Sequence, residues 1–243
     1  MDIQSPLPPH SDFPNGRAAA YHDNSCHGED AFLTRELNHH LALDAVLDGA
    51  TGRGGWEASS YAAEVLGAAN IEGVDDLTTL LDQINRELFR RGRGRFFLTT
   101  ISAALKIGQE LHVLSVGDSP VLLIRDGDVI PLTPAAKGQT FLGVANALGL
   151  HEKLSYKAVS VSLRLQDRVA LVTDGIIENV APSELAILVA RASSPDEAVS
   201  AVQQLLSEKQ RENKGRVDDR SSFRRDDATA LIRYVGLSDR PEA

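Results

Sequence analysis

Two stretches of this chain, VLDG at 46–49 and VALVTDG at 169–175, end an apolar run on an aspartate followed by glycine. Asp-Gly alone marks a turn. A hairpin turn returns the chain into a second strand, yet neither run is answered by a strand of matching length. The first leads through ATGRGGWEAS, with glycines at 49, 52, 54 and 55, into a helical pattern; the second leads through IIENV into another. A third pair, Asp126-Gly127, lies between VLLIR and DVIPL and reads as an ordinary hairpin. Apolar strands that finish on carboxylates restrict the fold, because each such end must reach water or a cation.

Further acids share this placement. GEDAF sets Glu29 and Asp30 side by side ahead of the first strong strand, VGDSP puts Asp118 at the end of another, and RRDDATALI puts Asp226 and Asp227 at the entrance of the last. If these ends converge, the carboxylates repel, and they must protonate or share a cation. No Cys-x-x-Cys is present, and His39-His40 are adjacent and face opposite ways on a strand, so a soft-ligand zinc centre is disfavoured. An all-oxygen set suits Mg²⁺ or Mn²⁺. The glycines after Asp48 would then let backbone carbonyls approach the ion, with Asp48 bridging metals and Gly49 lending its carbonyl.

The rest of the chain supplies a scaffold. RAAAYH, LALDAVLD (41–48), TTISAALKI (99–107), ELHVLSV (110–116), the two arms of 121–132, KAVSVSL, DRVALVTD and ATALIRYV read as strands. Residues 56–69 and 75–91 read as one helix pair, and PSELAILVARAS with PDEAVSAVQQLLSEKQ as a second. The stretch 134–153 has no clear pattern, and 208–226 reads as a charged loop. Helices grouped between sets of hairpin-spaced strands give an α+β class with antiparallel sheets.

With no linker-like composition shift, residues 17–236 are expected to form a single domain, with a proline-rich disordered leader over 1–16 and a tail over 237–243. A net charge of −9, from 34 acids against 25 Lys plus Arg, disfavours nucleic acid as a partner. No apolar run is long enough for a membrane span, the first residues lack a signal-peptide pattern, and the single cysteine, Cys26, excludes an intramolecular disulfide. A cytoplasmic setting is the expectation.

Taken in order, GEDAF, VLDGATGRGG, LTTISAAL, LSVGDSPVLLIRDGDVIPLT, LQDRVALVTDGIIENV and RDDATALI resemble the PPM (type 2C) family of metal-dependent Ser/Thr protein phosphatases, in its compact bacterial form. The resemblance spans 24–235 and implies a four-layer αββα sandwich: two antiparallel sheets face to face, each covered by a helix pair. It implies two Mn²⁺ or Mg²⁺ ions, with Asp48 and the Gly49 carbonyl, Asp174 and Asp226 as direct ligands and Glu29 and Asp30 acting largely through water. Asp118 and Glu178 fall where some members hold a weaker third ion, though Asp is common where Glu178 stands. The implied activity is hydrolysis of phosphoserine and phosphothreonine by metal-activated water, without a covalent intermediate. The implied partner is a phosphorylated protein, a kinase or a kinase target, met by a monomer.

The substrate contacts depart from that family. Ser25 stands where many members carry a phosphate-binding arginine, Ala50 where some carry a histidine acid, and Pro120 replaces an arginine. Arg53 in the glycine loop is the candidate replacement for the phosphate contact, with Arg17 the second choice. The altered contacts also motivate an alternative, a weak or inactive phosphatase-like module that binds a phosphoprotein signalling partner. Cys26 lacks the His-Cys-x₅-Arg setting of a cysteine phosphatase and is expected to be a bland thiol. His22 and His27 are read as surface residues near a possible proton path. RRGRGR (90–95) is read as a cation-capped helix end, and Trp56 and Tyr61 as core or helix-pair packing.

Overall fold

A computed structural model describes residues 14–133, 146–213 and 223–236. In it the strand Leu41–Leu47 is buried along its whole length, on both faces. A strand covered on both faces needs a layer on each side. That is the arrangement found: two five-stranded sheets stacked face to face, with helices outside each.

The strands in chain order are β1 (Arg17–Asp23), β2 (Ala31–Asn38), β3 (Leu41–Leu47), β4 (Ile101–Ile107), β5 (Glu110–Val116), β6 (Val121–Arg125), β7 (Asp128–Pro131), β8 (Lys157–Ser162), β9 (Arg168–Val172) and β10 (Ala228–Tyr234). One sheet runs β2-β3-β4-β5-β8 and the other β1-β10-β9-β6-β7, with every pairing antiparallel. Helices α1 (Gly55–Ala68) and α2 (Val74–Gly92) follow β3. A single-turn α3 (Asp174–Ile177) follows β9, and α4 (Pro182–Arg191) and α5 (Pro195–Asn213) precede β10. The expected four-layer αββα sandwich is present.

Three apolar cores correspond to the three interlayer spaces. Leu43, Ala45 and Leu47 of β3 face Leu66 of α1 and Leu77, Leu81 and Leu88 of α2. Val172 and Ile232 face Leu185 and Val202 of α4 and α5. Val46, Leu123, Leu171 and Leu231 fill the space between the sheets. The leucines of β3 thus share one face, as the alternation predicts, while Val46 serves the other. Each fully buried side chain of this kind contributes about 1.5–3 kcal/mol.

At one end of the intersheet space the filling is ionic. Arg233 of β10 reaches across to Asp44 of β3 with two hydrogen bonds, of 2.5 and 2.8 Å, and a third donor meets Glu36 at 2.8 Å. Asp44 and Arg233 are both buried, so the two sheets are pinned in register by a pair that neither can leave cheaply.

Several local readings differ from the sequence. AFLTRELN forms β2, an edge strand absent from the sequence reading because consecutive polar residues, Thr34, Arg35 and Glu36, break the alternation. Trp56 is not core: it stands 59% exposed at the start of α1. Tyr61 is half-buried under the Arg91 guanidinium, 4.5 Å from the ring centroid. Arg90 and Arg91 close the end of α2 by pairing with Glu87. Asp126 and Gly127, with φ of 53° and 88°, form the β6-β7 turn. Of the expected leader, residues 1–13 lie outside the described residues, as do the tail at 237–243 and the 134–145 part of the unassigned stretch.

Candidate active site

The antiparallel register brings the acids together. β3, β5 and β9 end where β2 and β10 begin, since Ala31 pairs with Leu47, Ile101 with Val116, and Ala230 with Val172. Asp48 therefore follows β3, Asp118 follows β5, Asp174 follows β9, Asp30 precedes β2 and Asp226 precedes β10, all at one end of the sandwich. One sheet contributes Asp30, Asp48 and Asp118; the other contributes Asp174 and Asp226.

Their mutual fields are strong. Burial, then the charges of Asp174, Asp30, Asp118 and Asp226, push the Asp48 carboxyl well above the usual range. Asp174 is raised to about 7 by burial first, then by Asp226, Glu178, Asp118 and Asp30. Asp30 is also raised to about 7, chiefly by burial, although hydrogen bonds from Thr173 and Thr229 act in the opposite direction. Asp118 is raised by burial and by Glu178.

The surrounding groups hold this arrangement in place. The hydroxyls of Thr173 and Thr229 donate to one Asp30 oxygen at 2.8 and 2.6 Å, tying the two sheets together beneath the cluster. Asp227, which is buried, accepts the backbone N–H groups of Cys26, His27 and Glu29 at 3.0, 2.9 and 2.8 Å. That single side chain shapes the loop carrying Glu29 and Asp30. Glu29 in turn accepts from Thr51 at 2.6 Å, linking it to the glycine loop. Sequence reasoning named Asp227 only as a neighbour of Asp226 and missed the two threonines. The signal for Asp227 was its doubled acid at a strand entrance, which has no use on an exposed edge.

The glycines serve packing as much as access. A Cβ on Gly49 would lie 2.4 Å from the Gly55 carbonyl carbon and 2.7 Å from the Glu29 oxygen. Two backbone segments thus cross at van der Waals contact beside Asp48, and only glycine fits at the crossing. This close approach explains the glycine at 49 without requiring a ligand.

The candidate residues do not all converge. Arg53 lies in the glycine loop, partly exposed, with one guanidinium nitrogen donating to the Arg95 carbonyl at 3.2 Å. Arg17 is a correction. It pairs with Tyr234 in the sheet, at the opposite end of β1 from Asp23 and Ala228, and its side chain meets Asp196 at 3.4 Å. Six residues of strand, about 20 Å, separate it from the acid cluster, so the structure removes it from the substrate contacts. Glu178 is engaged by Arg224 at 2.5 Å, which competes with any third-ion role beside Asp118. An exposed Arg225 adjoins Asp226 and lines a cavity of about 70 Å³ with Ser25, Cys26 and Arg224.

The donor set fits divalent cations. It consists of oxygen donors, carboxylates that push one another toward protonation, and the cation that acts on them, Arg224, is paired with Glu178 at the rim while also feeling the Asp174 charge. Hard ions such as Mn²⁺ or Mg²⁺ match such donors.

Comparison with known proteins gives the chain a family and a shared fold. Residues 50–232 match the family described as Stage II sporulation protein E (SpoIIE). The chain belongs to this family. SpoIIE-family domains are of the PP2C, or PPM, type, the metal-dependent Ser/Thr protein phosphatases that use Mn²⁺ or Mg²⁺. A rice (Oryza sativa subsp. japonica) protein named as probable protein phosphatase 2C BIPP2C1 is 25% identical over 222 residues, covering 87% of this chain. The SpoIIE-family chain spans only 37% of that protein's length. Among solved structures, PppA, described as a key regulatory component of T6SS in Pseudomonas aeruginosa, superposes with a TM-score of 0.76 at 22% identity, covering 92% of this chain and 99% of its own. The catalytic domain of the phosphatase PstP, solved with two manganese ions, gives 0.71 at 19% identity, covering 91% and 98%. At these identities the structures establish a shared fold.

Proposed function

We propose that this SpoIIE-family domain, spanning residues 17–236, hydrolyses phosphoserine and phosphothreonine in proteins with the help of two divalent ions, Mn²⁺ or Mg²⁺. The observation that carries the reading is the meeting of Asp48, Asp174 and Asp226, from three distant parts of the chain, at one end of the sandwich. Cations held there lower the pKa of water and neutralise phosphoryl charge. The ligands would be Asp48, the Gly49 carbonyl, Asp174 and Asp226, with Glu29 and Asp30 behind them and Asp118 at the edge.

The protein's own part is positioning. Thr173 and Thr229 fix Asp30, and Asp227 fixes the loop that presents Glu29. Arg53 is the candidate contact to the phosphoryl oxygens, because a guanidinium matches their geometry and Ser25 cannot. Ala50 supplies no acid, and the Ser25 hydroxyl is neither a cation nor acidic enough to protonate an alkoxide, so leaving-group protonation falls to water or to another side chain at the rim. The substrate in this reading is a phosphorylated protein, a kinase or its target, met by a monomer in the reducing cytoplasm. No helix among the described residues is long and apolar enough to cross a membrane.

The alternative, an inactive phosphoprotein-binding module, leaves the buried acids without a purpose. Hydrolysis of p-nitrophenyl phosphate in Mn²⁺, abolished by EDTA and restored by added Mn²⁺, is the expected result. Phosphopeptide binding with no turnover at any Mn²⁺ concentration would instead identify the binding module.

A further inference from the structure

A second group of potential ligands stands beside the acid cluster, and it is chemically unlike it. Cys26 and His27 lie in the loop after β1, and Asp226 lies just before β10. The pairing of Asp23 with Ala228 brings these two segments together. Asp227, accepting the backbone N–H groups of Cys26 and His27, fixes the loop so that both side chains face Asp226. The His27 Nδ1 lies 3.1 Å from an Asp226 oxygen, and the Cys26 Sγ lies 3.7 Å from His27 Nε2. One ligand atom from each residue falls within 4.8 Å of the other two, and all three residues are exposed.

These separations suit one ion. Zinc bonds of about 2.0 Å to nitrogen or oxygen and 2.3 Å to sulfur place tetrahedral ligands roughly 3.3–3.8 Å apart. In the metal-free arrangement the two imidazole nitrogens face different partners, so binding requires the half-exposed ring to turn one of them to the shared position. Burial first, then the fields of Asp226, Asp227 and Asp23 against that of Arg225, raise the Cys26 thiol, so an ion must displace its proton, while the same acids draw a cation toward the site. The thiolate is the donor that separates this site from its neighbour. Mn²⁺ and Mg²⁺ prefer the oxygen cluster, whereas Zn²⁺ prefers sulfur and imidazole.

We propose that Cys26, His27 and Asp226 form an inhibitory Zn²⁺ site that shares Asp226 with the catalytic cluster. Binding forms a Zn–S bond and releases the thiol proton to solvent, with no change of oxidation state. It draws the Asp226 carboxylate away from the catalytic ion, so Zn²⁺ at this site opposes Mn²⁺-supported turnover. The effect on turnover rests on the phosphatase reading; the binding of the ion does not.

Two measurements on the full chain test this. Co²⁺, a spectroscopic stand-in for Zn²⁺, is titrated into the protein in the absence of Mn²⁺. A thiolate-to-cobalt charge-transfer absorption is expected in the wild type, displaced by Zn²⁺ and absent in Cys26→Ser. No such absorption in the wild type overturns the site, whether or not the protein hydrolyses anything. Zn²⁺ is then titrated against Mn²⁺-supported p-nitrophenyl phosphate hydrolysis. Cys26→Ser should retain the basal rate and require about tenfold or more Zn²⁺ for half-inhibition, as loss of one ligand implies. Equal Zn²⁺ sensitivity in both proteins would mean that zinc acts by replacing Mn²⁺ in the oxygen cluster, and would overturn the proposal. Absence of hydrolysis beside a clear charge-transfer band would sink the phosphatase reading and leave the metal site standing.

Discussion

Replacing Asp174 by asparagine should stabilise the metal-free protein while removing its response to Mn²⁺. The carboxyl of Asp174 is raised to about 7 from 3.8, by burial and by the charges of Asp226, Glu178, Asp118 and Asp30. A carboxyl whose folded-state pKa is raised binds more protons folded than unfolded between those two values. Its contribution is therefore neutral below about pH 4, becomes increasingly destabilising as pH rises, and levels off above about pH 7. Three units correspond to about 4 kcal/mol at pH 8, and to about 2 kcal/mol at pH 5. Asp30 carries a similar rise, but protonating one acid relieves the other, so the set costs on the order of 4 kcal/mol and not the sum. Asparagine cannot ionise, so Asp174→Asn in EDTA should gain up to about 4 kcal/mol at pH 8 and about half that at pH 5. Urea unfolding followed by circular dichroism at both pH values measures the difference. With Mn²⁺ added, the wild type should gain stability and the variant little. A variant less stable than wild type at pH 8 in EDTA, or an identical difference at both pH values, would refute the reasoning that these acids crowd one another.

Three other changes have definite expected outcomes. Arg53→Ala should raise KM for a phosphopeptide by about tenfold with kcat little changed, read by steady-state kinetics; an unchanged KM removes Arg53 from substrate binding. Arg233→Ala leaves buried Asp44 without its bidentate partner and should lower stability by about 3–5 kcal/mol, measured as a shift of the urea midpoint. Gly49→Ala places a methyl group 2.4 Å from the Gly55 carbonyl carbon, so it should cost about 1–3 kcal/mol and weaken Mn²⁺ binding by displacing the loop after Asp48, a result that calorimetric titration can read.

Much of this was legible in the sequence because the two main signals are local. Leucines at alternate positions of β3 declare a buried face, and an aspartate closing an apolar run declares an end that needs a cation or water. The helix pairs were readable from their periodicity and terminal charges. What could not be read depended on partners distant in sequence. β2 is hard to read because its charged residues find their partners only in the folded chain: Arg35 donates to the Leu66 and Ala69 carbonyls at the end of α1, and Glu36 reaches Arg233 between the sheets. Arg17 is the second candidate for the phosphate contact in the sequence, but the direction of β1 carries it to the far end. Trp56 fits a helical pattern yet faces out, since the buried face of α1 is the one carrying Gly55, Ala58, Ser59, Ala62 and Leu66. Asp227 and its two neighbouring threonines act through backbone N–H groups and a buried carboxylate, and no spacing rule exposes such contacts.

The central claim is that carboxylates from both sheets jointly bind divalent ions at one end of the sandwich. Counting bound Mn²⁺ by electron paramagnetic resonance, wild type beside Asp48→Asn, tests it most directly. Two ions per wild-type chain and a clear loss in the variant are predicted. Full retention of both ions after Asp48 is neutralised, or no ordered binding in the wild type, would contradict the account.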